Sequence, residues 1–257
     1  MKKSTFLILV ISLYYNTINA QLKAVKYSDG NQVLNGLSVK AAKKSSQNPG
    51  ILLLPAWLGI DNASKEIAEN LSKLGYTVFI ADIYGEGNYP KNTSEAGKQA
   101  GFYKKNYESY QKRIQLALDQ LIKSGANEDN IVAIGYCFGG TGVLEAARGK
   151  LNIKGVVSFH GGLGKDAARP SETITAKVLA CHGADDPFVS KEEIAAFQQE
   201  MRDTKADWQM IYYANSVHSF TNPEAGNDNS KGAAYNPVAA KRSFEHLLLF
   251  LNEVLKK

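Results

Sequence analysis

Six residues constrain this chain more than any others: Gly135-Tyr136-Cys137-Phe138-Gly139-Gly140. An apolar run, Ile131-Val132-Ala133-Ile134, leads into them, and a helix-like segment from Thr141 to Arg148 leads out. A strand that turns sharply into a helix brings backbone against backbone, and glycine is the residue that permits it. Such a turn lifts its central side chain clear of the sheet's carboxyl edge. Here that side chain is a thiol. It is either a catalytic nucleophile or a buried cysteine in a strand-to-helix turn.

The flanking sequence repeats the pattern. Ile51–Leu54, Val78–Ala81, Ile153–Phe159 and Lys177–Cys181 are short apolar runs, as strands buried on both faces require. Helical periodicity separates them: Asp61 to Leu74, about Ala100 to Lys123, and Ser190 to about Arg202, where Ser190 and Glu193 have capping-box spacing. Trp208–Tyr213 reads as the last strand. Asn236-Pro237 reads as the N-cap and first residue of the last helix. Residues 22–40 alternate and contain two glycines, which predicts an antiparallel edge hairpin. Asp82 to Gly97 is expected to be a loop. The whole predicts an α/β fold: a mostly parallel sheet of about eight strands with helices on both faces.

The chain has 257 residues, 44% of them hydrophobic, with a mean hydropathy of −0.27. That suits one domain with a sizeable core. Residues 1–20 stand apart. Lys2-Lys3 precedes an apolar run, Phe6 to Leu13, and Asn19-Ala20 closes the segment. This is the pattern of a secretory signal peptide cleaved after Ala20, leaving residues 21–257 as the mature domain, exported to the periplasm or the medium. The alternative is an uncleaved anchor. Cleavage removes two lysines and no acid, so the net charge falls from +5 to +3. Charges of both signs are interspersed, which argues against nucleic acid and against stable membrane association of the mature chain.

Three reactive groups follow strand ends in the order Cys137, Asp186, His218. Ligands of parallel sheets bind at that edge. A thiol attacks as thiolate and needs a base, and the base needs an orienting acid. His218 would exchange a proton with Cys137, and Asp186 would fix the His218 tautomer. Asp185 is the competing acid. The backbone N–H groups of Phe138 and of Trp57, in the loop after Ile51–Leu54, are the expected oxyanion donors. Trp57, Tyr84, Tyr89 and Phe220 could line a substrate pocket or simply pack. His160, at a strand end, is a pocket candidate or a hydrogen-bonded structural histidine. His182 is expected to be structural, and His246 is expected to face solvent. No histidine pair or Cys/His cluster has metal-ligand spacing.

Three blocks, Gly135–Gly140, His182-Gly183-Ala184-Asp185-Asp186-Pro187-Phe188-Val189 and His218-Ser219-Phe220, occur in the order seen in the dienelactone hydrolase family of α/β-hydrolases, and residues 22–256 resemble that family. The resemblance favours Asp186, directly before Pro187, as the acid. It implies an α/β-hydrolase fold and a cysteine hydrolase of small esters or lactones that uses no metal or organic cofactor. Two positions depart from the lactone-cleaving members. Ala56 stands where they carry a glutamate near the thiol. Asn222 stands where they carry an arginine that binds the substrate carboxylate. A neutral or differently charged ester is therefore the expected substrate, with Asn222 among the pocket candidates.

Two other readings use the same residues. In a non-catalytic binding protein, Cys137 would be unreactive or paired with Cys181, since an exported chain can oxidise two cysteines. A thiol peptidase or acyltransferase would share the triad.

Overall fold

The computed structural model describes residues 21–43 and 45–257. The expected signal peptide, residues 1–20, lies outside the described residues. Eight strands form one sheet: β1 (Lys23–Asp29), β2 (Gln32–Val39), β3 (Gly50–Leu54), β4 (Thr77–Ile80), β5 (Ile131–Tyr136), β6 (Gly155–Phe159), β7 (Lys177–Gly183) and β8 (Trp208–Tyr213). Six α-helices accompany it: α1 (Asn62–Lys73), α2 (Thr93–Lys105), α3 (Tyr107–Lys123), α4 (Phe138–Arg148), α5 (Lys191–Asp203) and α6 (Pro237–Val254). The spatial order is β1-β2-β4-β3-β5-β6-β7-β8. The β1–β2 hairpin and the β2–β4 pairing are antiparallel, and every other pairing is parallel.

The continuous apolar runs are explained by burial on two faces. In β3, Leu52 and Leu54 join Ile131 and Ala133 of β5 under Ile114 and Leu118 of α3, Val143 of α4 and Phe197 of α5. Their neighbours Ile51, Leu53, Val132 and Ile134 face the other way, onto Ala68 and Leu71 of α1 and Leu247 and Leu251 of α6. The side-chain period of two along a strand divides one run between two cores.

The helix caps sit where expected. Ser190 Oγ accepts the Glu193 N–H at 3.1 Å, and Asn236 Oδ1 accepts the N–H groups of Val238 and Ala239. Three boundaries differ from expectation. The helix predicted from Ala100 to Lys123 is two helices broken at Asn106, whose φ of −107° and ψ of 63° leave the helical region. α2 also begins inside the expected loop, because Asn92 caps it by accepting the Glu95 N–H at 2.9 Å. Gly97 and Gly101, poor helix formers, weaken the periodic signal over that first stretch. β6 starts at Gly155, two residues later than the apolar run suggests.

Candidate active site

Cys137 stands between β5 and α4 with φ of 53° and ψ of −113°, a conformation that non-glycine residues rarely adopt. Its amide donates to Phe159 O at 3.0 Å, and its carbonyl accepts from the Thr141 N–H at 3.2 Å. The turn is this tight because two glycines allow it. A Cβ on Gly135 would strike the Gly139 carbonyl, and a Cβ on Gly139 would strike the backbone of Leu54 and Pro55. Such strain persists only where the surroundings enforce it, and it collects at functional sites.

The acid comes from the turn after β7. The Asp186 amide donates to Gly183 O at 3.1 Å, and Asp186 Oδ1 accepts from the Phe188 N–H at 2.9 Å. The Asp186 side chain is fully buried. Asp185 is exposed and contributes its amide to Ser216 O at 3.0 Å, which ties the two loops together. The base lies on the loop after β8. Gly183 lets that loop close in, since a Cβ there would stand 2.6 Å from Ser216 O. His218 is fixed at both ends: its amide donates to Gly232 O, and its carbonyl accepts from the Ala234 N–H, each at 3.1 Å.

The three side chains form one relay. His218 Nε2 is 3.0 Å from Cys137 Sγ, and His218 Nδ1 is 2.9 Å from Asp186 Oδ2. Burial alone would raise the Cys137 pKa. The His218 hydrogen bond and charge outweigh that, and with the Phe138 amide and the Lys104 charge they hold the thiol below its ordinary value. Burial would likewise lower His218, but its hydrogen bonds to Asp186 and Cys137 prevail and raise it to about 9. The arrangement favours a thiolate facing an imidazolium, which is the nucleophilic form of cysteine. The N-terminus of α4 adds its positive end to the same side.

Cys181 has no part in this. Both cysteines are free thiols, Cys181 is buried, and burial pushes its pKa up to about 12 despite a contact with the Tyr213 hydroxyl. The disulfide alternative is absent from this structure.

The pocket candidates fare unevenly. Tyr84 is buried, and its hydroxyl donates to the Trp57 carbonyl at 2.7 Å, so it supports the loop after β3 and does not line a cavity wall. Phe220 is fully buried against His160 and Tyr213. His160 is also buried. Its Nε2 pairs with Thr221 Oγ1 at 2.8 Å, its ring centre lies 5.2 Å from that of His218 in an edge-on arrangement, and burial holds it neutral. Asn222 caps a short 3₁₀ turn by accepting the Glu224 N–H at 3.0 Å. Tyr89 is half exposed, and its hydroxyl donates to Asp82 Oδ2 at 2.7 Å. Trp57 is partly exposed in a turn closed by Gly59 N–H to Ala56 O at 2.9 Å. His182 is buried and packs on Tyr212 as a structural residue. His246 does not face solvent as expected. It is half-buried and its Nδ1 meets the Tyr213 hydroxyl at 2.7 Å.

Two neighbours of the relay were given no role by the sequence, although Phe188 lies within the Asp186 block. Phe188 stands edge-on to His218 at 5.4 Å between ring centres, and 62% of it is exposed. Lys104 of α2 is near enough to bias the thiol. It also lines a cavity of about 460 Å³ with Thr141, Gly162 and Glu193. Among the described residues, no group of three His, Cys, Asp or Glu side chains could hold a metal ion, and no helix is long and apolar enough to cross a membrane.

Comparison with known proteins adds to this geometry. A dienelactone hydrolase-like promiscuous phosphotriesterase from metagenomic libraries is 34% identical. It superposes with a TM-score of 0.87, covering 93% of this chain and 100% of that one. A dienelactone hydrolase from Anabaena variabilis, 19% identical, shares the fold with a TM-score of 0.66 over 93% of this chain and 100% of its own. A Bradyrhizobium sp protein named "Probable 2-oxo-3-(5-oxofuran-2-ylidene)propanoate lactonase" is 24% identical over 212 residues, 79% of this chain and 83% of that protein. The dienelactone hydrolase family model matches residues 37–255, which takes in every strand from the end of β2 onward and all six helices. The chain therefore belongs to the dienelactone hydrolase family and is a hydrolase of that family.

Proposed function

We propose that this chain is an exported cysteine hydrolase that cleaves small esters or lactones through an acyl-thioenzyme. The observation that carries the reading is the unbroken relay from Sγ to Nε2 and from Nδ1 to a fully buried carboxylate. Cys137 Sγ attacks the carbonyl carbon. The negative charge that develops on the carbonyl oxygen falls to the Phe138 and Trp57 amides. As the tetrahedral adduct collapses, the His218 imidazolium gives its proton to the departing alkoxide. For a lactone that alcohol stays tethered to the acyl group. Water then attacks the thioester, with His218 taking its proton, and the thiolate leaves. Asp186 keeps Nδ1 protonated and the ring in plane throughout.

The substrate is a small molecule. The exposed Phe188 ring, set edge-on against His218, offers an apolar contact beside the relay that suits an uncharged ester. The activity named for the 34%-identical relative makes a neutral phosphotriester the second substrate class to assay. The test is turnover of a small aryl ester by the mature protein and by Cys137→Ala. A loss of roughly a thousandfold or more is expected, since the oxyanion donors alone leave a small residual rate. Undiminished turnover would sink the assignment.

A further inference from the structure

Three aromatic rings lie parallel beneath the nucleophile. Phe138 is stacked on Tyr110 of α3 at 4.6 Å with 3° between planes, and on Tyr84 at 5.7 Å with 11°. Each tyrosine carries a buried hydroxyl, and each hydroxyl ends on a main-chain carbonyl. Tyr84 Oη donates to Trp57 O at 2.7 Å, and Tyr110 Oη donates to Phe138 O at 2.9 Å. Those two carbonyls belong to the two residues whose amides are assigned to the oxyanion. We infer that Tyr84 and Tyr110 are positioning residues that hold the Trp57 and Phe138 amides in register with Cys137; the inference rests on the hydrolase reading above.

Packing around the pair supports a positioning role. Tyr110 reaches the Phe138 carbonyl only because position 142 is glycine, where a Cβ would collide with the phenol. Tyr84 is held in turn by Asp82, whose Oδ1 accepts the N–H groups of Tyr84 and Gly85 at 3.1 and 2.9 Å. The Trp57 loop has few other restraints. The Tyr84 hydroxyl is the described side-chain hydrogen bond that ties Trp57 to the body of the fold. The Gly139 gap then lets the α4 N-terminus rest directly on the Leu54–Pro55 backbone, which leads into Trp57. Both tyrosines are 3% exposed or less, so neither touches substrate. They act through the amides they restrain.

Tyr84→Phe and Tyr110→Phe keep the rings and delete only the hydroxyls. Two rates separate positioning from packing. Ester hydrolysis needs the thiolate and the oxyanion donors. Alkylation of Cys137 by iodoacetamide displaces iodide at a saturated carbon, builds no oxyanion, and needs the thiolate alone. Each variant is expected to lose about tenfold in kcat on a small aryl ester, less than the loss of a whole donor, with KM unchanged. Because the Phe138 amide also favours the thiolate, the alkylation control is read on Tyr84→Phe, where its rate is expected to be unchanged. If kcat and alkylation fall together in Tyr84→Phe, the tyrosines merely support the site, and the inference is overturned. An unchanged kcat overturns it equally. Should Tyr110→Phe fail to fold, Tyr84→Phe decides alone. Failure of the underlying reading shows up separately, as turnover that survives Cys137→Ala.

Discussion

Cys137 and His218 shift one another's protonation in opposite directions. His218 is raised from 6.5 to about 9. Its protonated form therefore adds stability that is fully present below 6.5 and is lost as pH rises through 9. Cys137 is lowered, so its thiolate adds stability that is present above the ordinary thiol value and is lost as pH falls through the folded one. Between those limits the ion pair persists, and the two titrate as a unit. Alkylation of Cys137 by iodoacetamide should then stay fast at neutral pH, below the range where a free thiol slows. Asp186→Asn removes the first of the groups that raise His218. It should move the alkylation inflection upward and cut kcat by roughly a hundredfold or more. A wild-type inflection at the ordinary thiol value would contradict the pairing.

The relay was legible in the sequence because each of its members ends a strand inside a short block. The supporting residues were not. Tyr110 lies on the buried stripe of α3, where a phenol and a leucine look alike to periodicity, and only tertiary structure shows its hydroxyl meeting Phe138. The loop position of Tyr84 leaves pocket lining and packing equally open in the sequence, and the structure decides for packing, because the loop folds inward through the Asp82 carboxylate. His246 was assigned to solvent because nothing local records Tyr213, 33 residues away.

At the scale of elements, the elbow depends on α4 lying against the end of β3. Gly139→Ala would press a methyl group onto the Leu54 carbonyl and to 2.7 Å from Pro55 O, both of which are backbone and cannot swing aside. The expected cost is about 1–3 kcal/mol, typical of overpacking, visible as a lower urea midpoint. Activity should fall further than stability explains, because the shift separates the Phe138 and Trp57 amides. A variant with wild-type stability and kcat would show that the contact is slack. The misplaced boundaries belong to this scale too. The break at Asn106 and the early start of α2 are set by Asn92, Asn106 and two glycines, whose influence on the chain is local, while the apolar stripe that guides prediction runs on past them.

Across the whole molecule, the two cores follow from alternation within uniformly apolar strands, and a mostly parallel sheet between helix layers can be read from sequence, whereas the strand order is visible only in the structure. The buried ion network behind α4 cannot. Arg148 pairs with Glu145 at 2.9 Å and with Glu200 of α5 at 2.7 Å, and Arg169 pairs with the other Glu145 oxygen at 2.6 Å. The Arg148, Glu145 and Glu200 side chains are 4–7% exposed. Arg148→Met would strand the Glu200 charge and leave Glu145 with Arg169 as its one charged partner, beside the Gln111 amide. Removing one partner of a buried pair costs about 3–5 kcal/mol, which urea unfolding would register. A cost near zero would mean that water relieves both carboxylates.

The proposed hydrolysis turns on one chemical event, acyl transfer to Cys137. Rapid-quench mass spectrometry of the protein reacting with 4-nitrophenyl acetate tests that event most directly. The account predicts a single acetyl group on the peptide that contains Cys137, formed at least as fast as turnover and absent from Cys137→Ala. A kinetically competent acetyl group on any other residue, or wild-type turnover by Cys137→Ala, would contradict it.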